Sequence, residues 1–198
     1  MTMTPSDLDL FMRWRAGDNG AGSELIKRHF AALHRFFATK AHGHEEDLIQ
    51  ITFVACVEAR DAFRCESSFR TYLFKLARFQ LFTHYRKVYR RSGIDFTTTS
   101  LCDLGTSPSG ALLRREEREL LTLALQNVPV DQQIALELTY WEDLAAPEIA
   151  SVLGIPENTV YTRLHRAKRH LRDALERLSE HAGERERAFL LLTSGDRD

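Results

Sequence analysis

Basic side chains concentrate in two separate stretches of a 198-residue chain whose formal net charge is only −1. Nine Lys or Arg residues but only two acids, Asp61 and Glu66, lie between Arg60 and Arg91. Five more cations and no acid lie between Arg163 and Arg172. Two basic surfaces on a nearly neutral chain indicate two contacts with one polyanion, and the chemistry they predict is nucleic-acid binding. We expect acidic faces for other partners at Glu116, Glu117, Glu137, Glu142, Asp143 and Glu148.

The second basic stretch begins inside a motif that joins two helices through a tight turn. In Ala146–Leu164, which reads APEIASVLGIPENTVYTRL, Pro147 suits a first helical turn, and Gly154 suits a helix end because glycine tolerates a positive φ. The small residue Ala150 lies where two helices must cross closely. This spacing predicts a helix-turn-helix. Its shared core would be formed by Ile149, Leu153, Ile155, Val160 and Leu164.

The second helix of this motif carries side chains that can donate hydrogen bonds to base edges and phosphates in a major groove. The candidate residues are Tyr161, Thr162, Arg163, His165, Arg166, Lys168 and Arg169. A plain helical hairpin with a solvated basic face is the alternative. A hairpin would explain Gly154, but it would not explain why the basic residues are confined to the second helix.

Aromatic and basic residues also share one face of an earlier helix, where they recur every three or four positions. The face comprises Lys75, Arg78, Phe79, Phe82, Arg86 and Tyr89. This combination suits single-stranded nucleic acid, because cations follow the backbone while aromatic rings stack on exposed bases. Phe79 and Phe82 are also compatible with a place in the core, and the pattern leaves both alternatives open for these two residues.

The elements that would position these residues are helices. Apolar residues recur at helical spacing nearly throughout and no stretch alternates as a strand would, so we predict an all-α fold of two small helical domains. The first four helices are predicted at about Ser6–Ala16, Ala21–Lys40 and Glu46–Phe63, and from an N-cap at Ser67 or Ser68 to about Arg91. The core stripe expected for the third helix is Leu48, Ile51, Ala55, Ala59 and Ala62.

A polar stretch divides the chain. Residues 92–110 are rich in Ser, Thr and Gly and lack a helical period, which predicts a flexible linker. It would separate a first domain at residues 1–91 from a helix-turn-helix domain at residues 111–181, with a charged tail at residues 182–198. In the tail we expect Phe189–Leu192 to form a short helix that docks on the protein itself or on a regulator.

No constellation in the sequence indicates catalysis, a cofactor or a metal site. Cys56, Cys65 and Cys102 lack the spacing of a zinc site or a disulfide framework, and His42–Glu46 lacks the HExxH spacing. The N-terminus lacks a signal-peptide pattern, and no apolar run is long enough to cross a membrane. We therefore expect a cytoplasmic protein that is not an enzyme and needs no cofactor or metal.

Three stretches taken together resemble a known family. They are EDLIQITFVACVEARDAF (Glu46–Phe63), FRTYLFKLARFQLFTHYRK (Phe69–Lys87) and PEIASVLGIPENTVYTRLHRAKRHL (Pro147–Leu171). In this order, with a polar linker between the second and the third, the chain resembles bacterial sigma factors of the extracytoplasmic-function (ECF) group. The resemblance extends over roughly Leu8–Leu178.

The resemblance implies a promoter-specificity subunit with a sigma region 2-like and a region 4-like domain. The first domain would bind the β′ clamp of core RNA polymerase through Asp47 and Gln50, and the second would bind the β flap. At the minus-ten element, the loop at Phe63 and Arg64 would hold a flipped base. Phosphates there would bind to Arg78, Arg86 and Lys87. With Lys75 and Phe82 of the aromatic and basic face, these residues form the candidate minus-ten site.

For the second domain, the resemblance places the helix-turn-helix in the major groove of the minus-thirty-five element. Tyr161, Thr162, His165 and Arg166 match positions that face DNA there. Such factors are commonly restrained by an anti-sigma protein, so we expect that kind of regulator as a partner. The alternative function is a helix-turn-helix regulator that binds duplex DNA without acting as a sigma subunit, which would leave the clamp-like helix and the aromatic and basic face unused.

Overall fold

A computed structural model describes residues 4–89, 93–104 and 117–194 of the chain, with residues 117–119 and 181–194 described by their backbone alone. All regular elements in these ranges are helices, so the predicted all-α fold is confirmed. The helices are α1 (Asp7–Arg15), α2 (Asn19–Ala38), α3 (Glu45–Glu58), α4 (Phe69–Val88), α5 (Glu117–Gln126), α6 (Val130–Tyr140), α7 (Ala146–Leu153) and α8 (Glu157–Ser194). A short 3₁₀ turn, Arg60–Ala62, follows α3.

Side-chain caps fix where the first helices begin. The Ser6 hydroxyl accepts a hydrogen bond from the Asp9 backbone N–H at 3.1 Å, and the Asp9 carboxylate accepts one from the Ser6 N–H at 3.1 Å. The Asp18 carboxylate caps α2. Of the two serines predicted as the cap of α4, Ser68 takes the role, because its hydroxyl accepts a hydrogen bond from the Thr71 N–H.

Helices α1 to α4 enclose an aromatic core. Phe11, Phe37, Phe74 and Tyr85 are fully buried in it. The Tyr85 hydroxyl donates a 2.7 Å hydrogen bond to the backbone carbonyl of Lys40, which satisfies a polar group that is otherwise cut off from water. Burial raises the pKa of Tyr85 well above its usual value. This core fixes α3 and α4, the two helices of the first domain that carry predicted functional residues.

The core stripe predicted for α3 is wrong in its register. The buried residues of this helix are Leu48, Ile49, Thr52, Phe53 and Cys56, whereas the side chain of Ile51 is 47% exposed. Apolar residues lie all round α3, so periodicity alone does not distinguish its two faces. Thr52 is tolerated inside because its hydroxyl donates to the Leu48 carbonyl at 2.7 Å.

The first part of the predicted linker is packed rather than exposed. Phe96 is 5% exposed and stacks on Phe82, with ring centroids 4.0 Å apart and an interplanar angle of 13°. Its carbonyl accepts a hydrogen bond from the Asp131 N–H at 3.0 Å, and the Thr99 carbonyl accepts one from the Val130 N–H at 3.0 Å. Residues 93–104 therefore strap the start of α6 to α4.

The two halves of the chain pack against each other, with α7 lying on α4. Within the described ranges, no helix combines the length and apolarity needed to span a membrane. The α8 backbone is helical through Ser194, but the side chains of the predicted docking segment Phe189–Leu192 lie outside the described residues, so its docking stays a prediction.

Candidate nucleic-acid interface

The helix-turn-helix forms as predicted. Pro147 lies in the first turn of α7, and Gly154 ends that helix in the left-handed conformation with φ +67°. A residue with a Cβ would be strained at this φ, which explains why glycine is needed there. Ile149, Ala150, Leu153 and Val160 are buried between α7 and α8, and Ile155 and Leu164 pack against them.

The exposed face of α8 carries most of the predicted minus-thirty-five residues. Tyr161 is 61% exposed, and Thr162, His165, Arg166 and Arg169 also lie at the surface. These residues border an open groove of about 1080 Å³, whose other side is formed by Thr97, Thr98, Pro129 and Gln132. The structure thus brings five of the predicted side chains together on one accessible surface.

Two of the predicted residues of α8 lie elsewhere. The ammonium group of Lys168 lies 5.3 Å from the ring centroid of Tyr140, beside an apolar groove of about 260 Å³ that Leu136 and Trp141 help to line. The Arg163 side chain is only 14% exposed, and its guanidinium donates a 3.0 Å hydrogen bond to Asp131. In this conformation neither residue shares the surface of Arg166.

Three of the predicted minus-ten residues line a shallow cavity of about 570 Å³. Phe63 stacks on Tyr72 with ring centroids 4.2 Å apart, and Lys75 lies on the same rim. The Arg64 side chain is 83% exposed. An aromatic wall beside two mobile cations has the character that an unstacked base requires.

The aromatic and basic face of α4 is split by the fold. Phe79 is 61% exposed, whereas Phe82 is 6% exposed beneath Phe96. The alternative of a core role therefore holds for Phe82 and fails for Phe79. Arg86 and Lys87 are exposed at the end of the helix. Arg78 lies over the Phe82 ring at 4.4 Å and pairs with Asp131, so it is not free in this conformation.

The predicted polymerase-binding residues lie on an open face of α3. Asp47 and Gln50 are exposed, and the same face presents Ile51, Val54 and Val57, each 47–49% exposed. Sequence reasoning missed these apolar residues. The available signal was that α3 contains more apolar residues than a single buried stripe can use.

Acidic residues of the second half have a role that sequence reasoning did not assign. Glu137 and Glu142 are buried, at 2% and 4% exposed, and both pair with cations of the first half. Glu148 accepts hydrogen bonds from Ser68 and Thr71 at 2.9 and 2.8 Å. The expectation that these three acids form faces for other partners is therefore wrong in this conformation, because their carboxylates are used inside the protein.

The three cysteines differ in accessibility. Cys56 is 1% exposed, and burial raises the pKa of its thiol to about 12, whereas Cys65 and Cys102 are partly exposed. Since the thiolate is the reactive form, we expect iodoacetamide at mildly alkaline pH to leave Cys56 unmodified in the native protein and to modify it after denaturation. Peptide mass spectrometry measures this directly. Alkylation of native Cys56 as fast as that of the denatured chain would contradict the buried assignment. No group of three or more potential metal ligands occurs among the described residues.

Comparison with known proteins finds the same pair of regions. Sigma-70 region 2 matches residues 25–91, and Sigma-70, region 4 matches residues 118–171. The RNA polymerase sigma-H factor of Pseudomonas aeruginosa is 28% identical over 194 residues, covering 92% of this chain and 100% of that protein. The ECF RNA polymerase sigma-E factor of Escherichia coli is 26% identical over 175 residues, covering 82% and 91% respectively.

Two solved structures share the fold. One is the sigma factor RpoE in complex with the anti-sigma factor NepR from Bartonella quintana, with a TM-score of 0.61 at 21% identity over 78% of this chain and 96% of that chain. The other is CnrH in complex with the cytosolic domain of CnrY, with a TM-score of 0.62 at 24% identity over 84% and 95%.

The helix-turn-helix, the separate basic helix and the two matching regions define this chain as a sigma subunit of RNA polymerase. Within the sigma-70 family it belongs to the extracytoplasmic-function (ECF) group, which confirms the resemblance drawn from the three sequence stretches. A regulator that binds duplex DNA without acting as a sigma subunit is not favoured, because both regions are present.

Proposed function

We propose that the protein directs core RNA polymerase in the cytoplasm to promoters through the residues described above, without catalysing a reaction itself. In this proposal residues 1–91 form the minus-ten and clamp-binding domain, and residues 111–181 form the minus-thirty-five domain. The observation that carries it is the exposed surface of Tyr161, Thr162, His165, Arg166 and Arg169 on the second helix of a helix-turn-helix. That arrangement fits a major groove.

The minus-ten element would be opened and held by the first domain. Phe63, Arg64 and Lys75 surround a cavity suited to one flipped base, and Arg86 and Lys87 lie exposed where the phosphates of the melted strand would pass. Arg78 and Phe82 join this site only after they leave their present partners, Asp131 and Phe96.

Two further kinds of partner are proposed. Core polymerase would contact α3 through its β′ clamp and the second domain through its β flap. An anti-sigma protein would restrain the factor, as the names of the two structural relatives describe for those proteins. The signal that relieves the restraint is a property of that partner.

Replacing Arg166 with alanine is expected to weaken binding to a minus-thirty-five duplex by about 1–3 kcal/mol if the guanidinium contacts a base. The loss should appear on the preferred sequence and shrink on scrambled sequences, as fluorescence anisotropy would measure. Lys168→Ala is the matched control, because it removes the same charge from the side of α8 that faces Tyr140. An equal loss on all sequences would assign Arg166 to a phosphate, and no loss on any sequence would remove it from the interface.

The double replacement Asp47→Ala with Gln50→Ala is expected to weaken binding to core polymerase severalfold while the thermal unfolding midpoint stays unchanged. Both side chains are exposed, so their removal takes nothing from the core. Asp173→Ala, an equally exposed acid on α8, controls for the lost charge. Core-enzyme affinity equal to that of the unmodified protein would refute the clamp assignment.

A further inference from the structure

Acidic residues of α6 and of the loop after it hold the two halves of the chain together. Glu142 accepts a 2.9 Å hydrogen bond from Arg35 and also pairs with Arg70. Glu137 pairs with the buried Lys40 and accepts a 3.0 Å hydrogen bond from Thr39. Each of these cations belongs to the first half, so the contact between the halves is electrostatically complementary and directional rather than a nonspecific apolar contact.

Asp131 occupies a special place in this contact. Its carboxylate accepts two hydrogen bonds from Arg78 of α4, at 2.9 and 3.0 Å, and a third from Arg163 of α8, at 3.0 Å. Asp131 is 3% exposed, and the Arg78 and Arg163 side chains are 23% and 14% exposed. One buried carboxylate therefore joins the two helices that carry the proposed minus-ten and minus-thirty-five contacts.

This arrangement is incompatible with promoter contacts by either arginine. An arginine that donates in a bidentate manner to a buried carboxylate has no free donors directed at a phosphate or a base edge. A phosphate brought to the same position would also meet the negative charge of Asp131. The contact covers a third candidate group as well, because the strap that carries Phe96 lies on Phe82 and begins α6 at Asp131.

We propose that Asp131 is an internal latch, which keeps the free protein closed with Arg78 and Arg163 withheld from DNA and releases both arginines when the halves separate on polymerase. The proposal rests on the proposed function. Because the same two arginines bind either the carboxylate or DNA, opening and DNA binding are coupled, and weakening the latch must strengthen DNA binding by the free protein.

The test compares the unmodified protein with Asp131→Asn in the absence of polymerase. Each full-length protein is titrated into a fluorescein-labelled, random-sequence duplex of about three helical turns across a range of salt concentrations. The latch predicts tighter binding by Asp131→Asn. It also predicts a slope of log affinity against log salt that is steeper by about 2, because each of two new phosphate contacts adds about 0.9. Small-angle scattering should show a larger radius of gyration for the variant.

Two controls make the test decisive. Asp143→Asn removes the same charge from an exposed position outside the contact, so it should bind as the unmodified protein does. Circular dichroism verifies folding. If Asp131→Asn proves unfolded, Asp131→Ser replaces it, because serine is favoured near a helix N-terminus.

Affinity, salt slope and radius of gyration equal to those of the unmodified protein would overturn the latch. Tighter binding by Asp143→Asn to the same degree would also overturn it, because the gain would then reflect charge alone. Failure of the proposed function looks different. In that case neither protein supports transcription with core polymerase, whatever their affinities for the free duplex.

Discussion

Replacing Lys40 with methionine is expected to destabilise the closed protein by about 3–5 kcal/mol, because it leaves a buried carboxylate without its cation. Lys40 is 2% exposed and pairs with Glu137, which is also 2% exposed. Burial lowers the pKa of Lys40 and the neighbouring Glu137 raises it, which is the signature of a charge held in place by its partner. Methionine fills a similar volume, so the expected loss reflects charge rather than packing.

Denaturant unfolding followed by circular dichroism measures this change in the free energy of unfolding. The double variant Lys40→Met with Glu137→Leu is the matched control. Removing both charges should restore most of the lost stability, because an apolar pair of similar size often replaces a buried ion pair without loss. A Lys40→Met protein as stable as the unmodified one would contradict a buried ion pair between the halves.

The second large effect is expected at Phe96. Phe96→Ala should lower the free energy of unfolding by about 3–5 kcal/mol, the usual range for removing a buried aromatic ring. The ring stacks on Phe82 and lies 5.8 Å from the Tyr85 ring centroid, and the Arg86 guanidinium lies 5.7 Å from its centroid. Its loss leaves a cavity on α4 and frees the strap that begins α6.

The control for Phe96 is Thr98→Ala, an exposed position in the same strap. Its effect on unfolding should stay within about 0.5 kcal/mol. If Phe96→Ala also changes stability by no more than this, the segment is not packed in solution and behaves as the flexible linker that its composition predicts.

Local signals in the sequence were sufficient for the helices and the helix-turn-helix. The Ser68 cap and the Pro147 and Gly154 boundaries depend on neighbours a few residues away, and the structure reproduces them. The exposed face of α8 also follows from the helical period once the core positions Ile149 and Val160 are placed.

The contacts between the halves could not be predicted in this way. Asp131 and Arg78 are 53 residues apart, and Lys40 and Glu137 are 97 apart, so no periodicity links them. Composition misled in the strap, where a single Phe96 among Ser and Thr residues decides the packing. In α3 an excess of apolar residues hid which face is buried, and the exposed remainder at Ile51, Val54 and Val57 is now part of the proposed clamp surface.

The most direct measurement of the central claim is in vitro transcription with purified core RNA polymerase, this protein and a library of promoter fragments. The account predicts that the protein alone makes core polymerase start at defined sites, and that the selected fragments share minus-ten and minus-thirty-five elements. Loss of these transcripts with Asp47→Ala and Gln50→Ala together would link the activity to the clamp surface. A core polymerase that stays silent with both the unmodified protein and Asp131→Asn, while both still bind duplex DNA, would contradict the account.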